Sequence, residues 1–209
     1  MQIAILLYEN MTALDAIGPY EVLSRLPGAK LCFTAERAGP VRTDTGFLQL
    51  VAQRPLEEVP SADLLLVPGG PGDVAVRENE ATLDWVRRIH AGSTWTTSVC
   101  TGSLILAAAG LLDGKPATTH WASLDTLAEL GAKPRRERAV WSDKIVTAAG
   151  VSAGIDMALR LAAKIAGDDF ARALQLGIEY DPDPPFDAGS PDKVEPELRD
   201  LVRNALLRA

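Results

Sequence analysis

Cysteine and histidine are both scarce in this chain. Its 209 residues hold two of each: Cys32, Cys100, His90 and His120. Two cysteines do not make a disulfide framework at this length, and a reducing cytoplasm is the simplest compartment for them. A four-ligand zinc site could draw only on these four side chains, whose spacing fits no zinc pattern, so structural zinc is excluded. Basic residues are in deficit, with 21 Lys and Arg against 28 Asp and Glu and a net charge of −7. A surface of that sign repels phosphate, which argues against non-specific binding to nucleic acid or to an anionic membrane. Long apolar runs are missing too. Residues 104–109 form one of the longest, far short of the ~20 that span a bilayer. No basic residue precedes the apolar segment 3–8, so a signal peptide is not expected there. Repeats and low-complexity linkers are absent as well.

What remains is an ordinary globular composition, 47% hydrophobic and 23% charged. At roughly 150 residues per domain, the length predicts one domain with a tail. A domain of this size buries about 70% of its unfolded surface and needs no staple. Short β-type runs alternate with helical stretches over most of the chain, the mark of an α/β domain. Strands are expected at 3–8, 31–35, 63–67, 95–99 and 145–148, with 47–51 in a hairpin after Gly39-Pro40. Helical spacing runs through Leu14, Ile17, Val22 and Leu26, broken early by Gly18-Pro19, and again through Leu83, Val86 and Ile89. Further helices are expected at 101–111, 153–166 with Ser152 as N-cap, 170–178 and 197–207. The segment Asp181-Pro182-Asp183-Pro184-Pro185-Phe186 can be neither helix nor inner strand, and its composition favours a packed arm over a linker. Residues 1–192 are thus expected to form the α/β domain, with 193–209 a C-terminal helix packed on it.

The most informative segment is Thr97-Ser98-Val99-Cys100-Thr101-Gly102-Ser103. A β-run ends at Val99 and a helix begins within two residues, so Cys100 falls on a sharp strand-to-helix turn. That is the geometry of a nucleophile elbow, and its crowding demands small residues two before and two after the nucleophile. Ser98 and Gly102 meet that demand. A helix N-terminus there favours thiolate over thiol and can hold an oxyanion. The turn alone leaves a buried, inert cysteine equally open. Cys32, inside an alternating strand, reads as structural.

In open α/β sheets, sites form beyond the carboxyl ends of the strands. The loop after the first strand carries Asp15 and Gly18-Pro19, and the loop after Val67 carries Gly69-Gly70. Gly70 can offer a backbone N–H at close range, though a plain tight turn explains it as well. Asp15 can equally be a helix-start carboxylate. In Thr118-Thr119-His120-Trp121, His120 is the histidine with a route to Cys100, either as a pocket residue or as a half-buried, hydrogen-bonded one. His90 lies near the exposed end of an amphipathic helix.

Ser98-Val99-Cys100-Thr101-Gly102-Ser103, Asp15-Ala16-Ile17-Gly18-Pro19 and Pro68-Gly69-Gly70 resemble the ThiJ/PfpI superfamily. Within it the chain is most similar to the isonitrile hydratases. Ala117-Thr118-Thr119-His120-Trp121, Ala153-Gly154-Ile155-Asp156, Glu179-Tyr180 and the run from Pro184-Pro185-Phe186 to Ala188-Gly189-Ser190-Pro191-Asp192 carry that resemblance. It implies a flavodoxin-like, class I glutamine-amidotransferase-like sandwich with a mostly parallel sheet and helices on both faces. It also implies a homodimer. Thr101 stands where protease-like members have histidine, and no histidine follows His120 to serve as an amidotransferase base. Asp15 matches the aspartate that the hydratases place beside the cysteine. The resemblance therefore implies Cys100, Asp15 and Thr101 as catalytic, with Gly70, Gly18, His120 and Trp121 binding substrate. The expected reaction is hydration of an isonitrile to an N-substituted formamide through a Cys100 thioimidate, with water as co-substrate and no cofactor or metal.

Two other classes share these motifs. The sensor domains of AraC-type regulators carry a similar elbow followed by Thr-Thr-His-Trp, and they continue into a helix-turn-helix domain. With Ala209 the last residue and a net charge of −7, no DNA-binding module is expected here. A cysteine-dependent amidase or stress-response hydrolase would use the same Cys100.

Overall fold

Gln2–Leu6 forms β1, and all but its first side chain are buried, as a strand covered on both faces requires. The computed structural model describes residues 1–206. After β1 the chain runs through α1 (Ala13–Leu23), β2 (Lys30–Ala35), the hairpin β3 (Gly39–Arg42) and β4 (Gln49–Ala52), and β5 (Arg54–Pro55). Next come β6 (Leu64–Val67), α2 (Asp73–Arg77), α3 (Glu80–Gly92), β7 (Trp95–Val99) and α4 (Gly102–Ala108). It continues with β8 (Pro116–Ala117), α5 (Leu124–Glu129), β9 (Lys133–Pro134), β10 (Ala139–Ser142) and β11 (Ile145–Ala148). The helices α6 (Ala153–Ala166), α7 (Asp168–Gly177) and α8 (Pro196–Leu206) follow.

Seven strands make the central sheet, in the order β10-β11-β7-β6-β1-β2-β5. Every neighbouring pair is parallel except β10–β11. Helices cover both faces, so the expected flavodoxin-like α/β class holds. From β1 the chain steps to β2 on one side and later to β6 and β7 on the other. The winding reverses between β1 and β6, which opens a crevice at the carboxyl ends of those strands. The loops are sewn together there: Thr12 N–H donates to Gly69 O at 2.8 Å and Gly72 N–H to Asn10 O at 3.1 Å.

Four local expectations differ from what forms. Gly18-Pro19 does not break α1, which runs on to Leu23 with Pro19 inside. Pro19 lacks the N–H for a helical bond, an interior cost of ~3 kcal/mol. The compensation is tertiary, because Gly18 and Pro19 face α6. A Cβ on Gly154 would lie 3.0 Å from Pro19 Cγ. Ser152 precedes α6 but makes no side-chain cap, because its hydroxyl accepts from Arg138 instead. The helix after Cys100 is shorter than expected, ending at Ala108. The proline segment is not packed on its own chain: residues 181–189 are all exposed, with Phe186 at 77%. The expected end of the last helix at Leu207 lies outside the described residues.

Candidate active site

Cys100 follows the last residue of β7 and has φ +56°, a left-handed conformation that is costly for a non-glycine residue. The structure over-determines it. The Cys100 N–H is shared by the carbonyls of Ala148 (3.1 Å) and Ala149 (3.0 Å). Its own carbonyl accepts from Thr119 Oγ1 at 3.0 Å and Ser103 Oγ at 3.2 Å. A Cβ on Gly102 would stand 2.1 Å from Val67 O, so no side chain fits there. Ser98 is wholly buried. This is the crowded elbow read from the sequence.

Asp15, in the first turn of α1, has no exposed surface, and Cys100 has 6%. Asp15 Oδ2 accepts from Gly69 N–H at 2.9 Å. Burial pushes the Asp15 carboxyl up to about 7, opposed by the Gly69 N–H and by hydrogen bonding from the Cys100 thiol, and aided by Asp44. The thiol contact falls short of full hydrogen-bond geometry, and Oδ1 has no fixed partner. Burial, and then the Asp15 charge, push the Cys100 thiol well above its ordinary value; N–H groups of Thr101 and Val151 act the other way. The expected thiolate preference from the helix N-terminus is thus outweighed. Two anions in one dry corner cannot coexist cheaply, and the pair titrates as a unit around one retained proton.

Thr101 and Gly70 engage each other. Thr101 Oγ1 accepts from Gly70 N–H at 2.9 Å and faces Gly70 O at 3.3 Å. Gly70 has φ +131°, and a Cβ on it would lie 2.4 Å from Thr12 N, so only glycine fits. The backbone N–H groups that act on the sulfur are therefore those of Thr101 and Val151.

The remaining expected residues lie further out. The His120 ring packs on Gly150, where a Cβ would sit 2.6 Å from Cδ2. Its Nδ1 accepts from Ala122 N–H at 3.3 Å, and burial lowers its pKa. It is a neutral ring at the edge of the site with no hydrogen bond to Cys100 among the described residues. Trp121 stacks on His120 at 5.6 Å between centroids, and Arg203 of α8 lies over its indole at 5.7 Å. Gly18 faces Ile155 of α6 and lines an open groove of about 370 Å³ with Leu14, Ile17 and Tyr180, a groove that does not include Cys100. His90 bonds Thr96 Oγ1 at 2.8 Å, near the start of β7. Cys32 is half-buried in β2.

Over residues 1–164 the sequence matches the DJ-1/PfpI family. The chain belongs to that family. It is 46% identical, over 97% of its length and 89% of the relative's, to isonitrile hydratase of Pseudomonas putida. It superposes on a ThiJ/PfpI family protein from Pseudomonas syringae with a TM-score of 0.95 and 39% identity, covering 99% of this chain and 86% of that one. It is also 31% identical to the HTH-type transcriptional regulator CdhR of Pseudomonas aeruginosa, over 64% of this chain and 40% of the regulator.

Reading the sequence missed several parts of this DJ-1/PfpI site. The Val151 N–H (φ +28°) acts to lower the pKa of the Cys100 thiol, and Thr119 Oγ1 pins the Cys100 carbonyl. Tyr8 is buried with its hydroxyl donating to Pro68 O at 2.8 Å. Asp73 is buried against Arg77, and burial raises its carboxyl to about 6. The available signal was topological: residues 149–152 follow β11, which pairs with β7 in register Ala148 to Val99.

Proposed function

We propose that this protein is an isonitrile hydratase, adding water to R–N≡C to give an N-substituted formamide. The reading is carried by the 46% identity over 97% of the chain to the Pseudomonas putida isonitrile hydratase. A nucleophile paired with a carboxyl rather than a histidine supports it. The terminal carbon of an isonitrile must gain both a nucleophile and a proton. Cys100 sulfur forms the C–S bond while the proton held between Cys100 and Asp15 goes to that carbon, giving R–N=CH–S–Cys100. Water then adds to the thioimidate carbon, with Asp15 taking a proton from water and returning one to nitrogen. Collapse breaks the C–S bond, the hydroxyl proton returns to the pair, and R–NH–CHO leaves. Isonitrile and water alone balance the reaction.

Thr101 assists as a catalytic residue through its N–H, while its hydroxyl holds the Gly70 loop. His120 and Trp121 shape the pocket edge and Gly70 completes the substrate-binding set, while Gly18 supports it only indirectly through the α1–α6 contact. The protein acts as a cytoplasmic homodimer, supported by exposed apolar side chains such as Phe186 (77%) and Leu201 (66%). Residues 1–192 form the α/β domain and α8 (Pro196–Leu206) packs on it as a C-terminal helix, a reading that the Arg203–Trp121 contact supports. The test is turnover of a simple alkyl isonitrile by purified protein with no cofactor added. Stoichiometric N-alkyl formamide is expected; binding without turnover would point to a sensor-like relative instead. A monomeric mass by light scattering at micromolar concentration would refute the dimer alone.

A further inference from the structure

The turn between β11 and α6 meets Cys100 through backbone hydrogen bonds, and something must hold it in place. Ala148 and Ala149 carbonyls accept the Cys100 N–H at 3.1 and 3.0 Å. Val151, at φ +28°, places its N–H where it opposes the rise of the thiol pKa. A β-branched residue in that conformation is strained and persists only where its surroundings impose it. Ser152 does not restrain the turn by capping α6, since its side chain makes no cap bond.

Beside the local turn bonds of 150–155, one arginine reaches both ends of the turn. Arg138, just before β10, accepts the Ala149 N–H on its backbone carbonyl at 3.0 Å. Its guanidinium then forks over the start of α6. Nη2 donates to Ser152 Oγ at 3.2 Å, and Nε donates to Asp156 Oδ2 at 2.5 Å. Tyr180 Oη donates to the same carboxylate oxygen at 3.2 Å. Backbone and side chain of one residue thus bracket 149–152 from both ends. A planar fork can hold two acceptors at once, which an ammonium cannot do in the same geometry.

We propose that Arg138 is a positioning residue for the nucleophile, clamping Ser152 and Asp156 so that the 149–151 turn keeps its backbone groups on Cys100. The inference rests on Cys100 as the reacting group but not on the identity of the substrate. The charged groups that act on the thiol directly are Asp15 of α1 and Asp73 of α2, and the Tyr8 phenol after β1 is close enough to be raised by the thiolate. Arg138 directs its guanidinium to Ser152 and Asp156 rather than to the sulfur, so its influence on the thiol runs through the geometry of the turn. Its side chain is 46% exposed, and an exposed ion pair adds little to global stability.

The test is the pH dependence of Cys100 alkylation by iodoacetamide, in a Cys32→Ser background, for Arg138→Met, Arg138→Lys and Ser152→Ala. With Arg138→Met, alkylation at pH 8 is expected to slow by about tenfold, the equivalent of one unit upward in the thiol profile. Ser152→Ala, which removes one prong of the fork, is expected to move the profile the same way by less. Arg138→Lys keeps the charge and is expected to recover only part of the loss. An unmoved profile in folded Arg138→Met would overturn the proposal, as would an unmoved profile in Ser152→Ala should Arg138→Met fail to fold. Complete recovery in Arg138→Lys would also overturn it, since charge alone would then suffice. Because the readout is alkylation, these failures are separable from a failure to hydrate isonitriles.

Discussion

Asp15 and Cys100 are buried together at the carboxyl end of the sheet, and after burial itself it is the Asp15 charge that most raises the pKa of the Cys100 thiol. The pair is therefore most comfortable with a single proton. Replacing Asp15 by Asn removes the anion that opposes thiolate formation. Alkylation of Cys100 at pH 8 is expected to quicken in Asp15→Asn, by about tenfold for each unit the thiol falls. Slower alkylation would show that Asp15 acts as the base for the thiol rather than as its electrostatic opponent.

Turnover should respond in the opposite sense. An amide cannot shuttle a proton, so Asp15→Asn is expected to lose 10²–10⁴-fold in isonitrile hydration, the usual range for general acid–base assistance. His120→Ala should lose far less and leave the pH–rate profile without a missing limb. Its ring stands on Gly150 with its Nδ1 engaged by Ala122, and burial keeps it neutral. Steady-state kinetics of both variants decide the matter: collapse in His120→Ala with a near-normal Asp15→Asn would restore a Cys–His acyl-transfer site.

Asp15 also makes stability depend on pH. Its folded value of about 7 lies above the ordinary 3.8, so the native state binds the extra proton. The resulting stabilisation is complete below about pH 4 and is lost as pH rises through 7. Asp73, raised to about 6, acts in the same direction. Asp15→Asn keeps an acceptor for Gly69 N–H and carries no buried charge. It is expected to melt above the wild type at pH 8, by the equivalent of a few kcal/mol, with the gap closing toward pH 4. Thermal melts across that range check it, and a gap constant with pH would contradict the buried, raised carboxyl.

How much of this was legible beforehand depended on the kind of signal. The elbow could be read because its crowding selects small side chains next to each other in the chain, Ser98 and Gly102 around Cys100. The parallel strands could be read because burial on both faces leaves continuous apolar runs. Asp15 could be matched to Cys100 only through the family resemblance, since nothing local distinguishes it from a helix-start carboxylate. Val151 and Arg138 left no trace because one acts through a backbone N–H and the other from a half-exposed surface position. Pro19 misled because helix propensity is a weak prior, and close packing of α1 on α6 overrode it.

The two cysteines should separate cleanly. Cys32→Ser is expected to retain most activity, since Cys32 sits in β2 away from the crevice. Cys100→Ser is expected to lose more than about a thousandfold, because a serine hydroxyl beside Asp15 has no histidine to activate it. Retained hydration in Cys100→Ser would remove the covalent step.

The covalent step itself can be weighed. Rapid acid quench of the protein turning over a simple isonitrile, followed by intact-mass and peptide mass spectrometry, reports directly on the thioimidate. The expected result is an adduct equal in mass to one whole isonitrile, since the thiol proton moves to carbon and nothing is lost. It should map to the peptide containing Cys100 and disappear in Cys100→Ser. Formamide production with no adduct on Cys100, continuing undiminished in Cys100→Ser, would contradict nucleophilic catalysis by this residue.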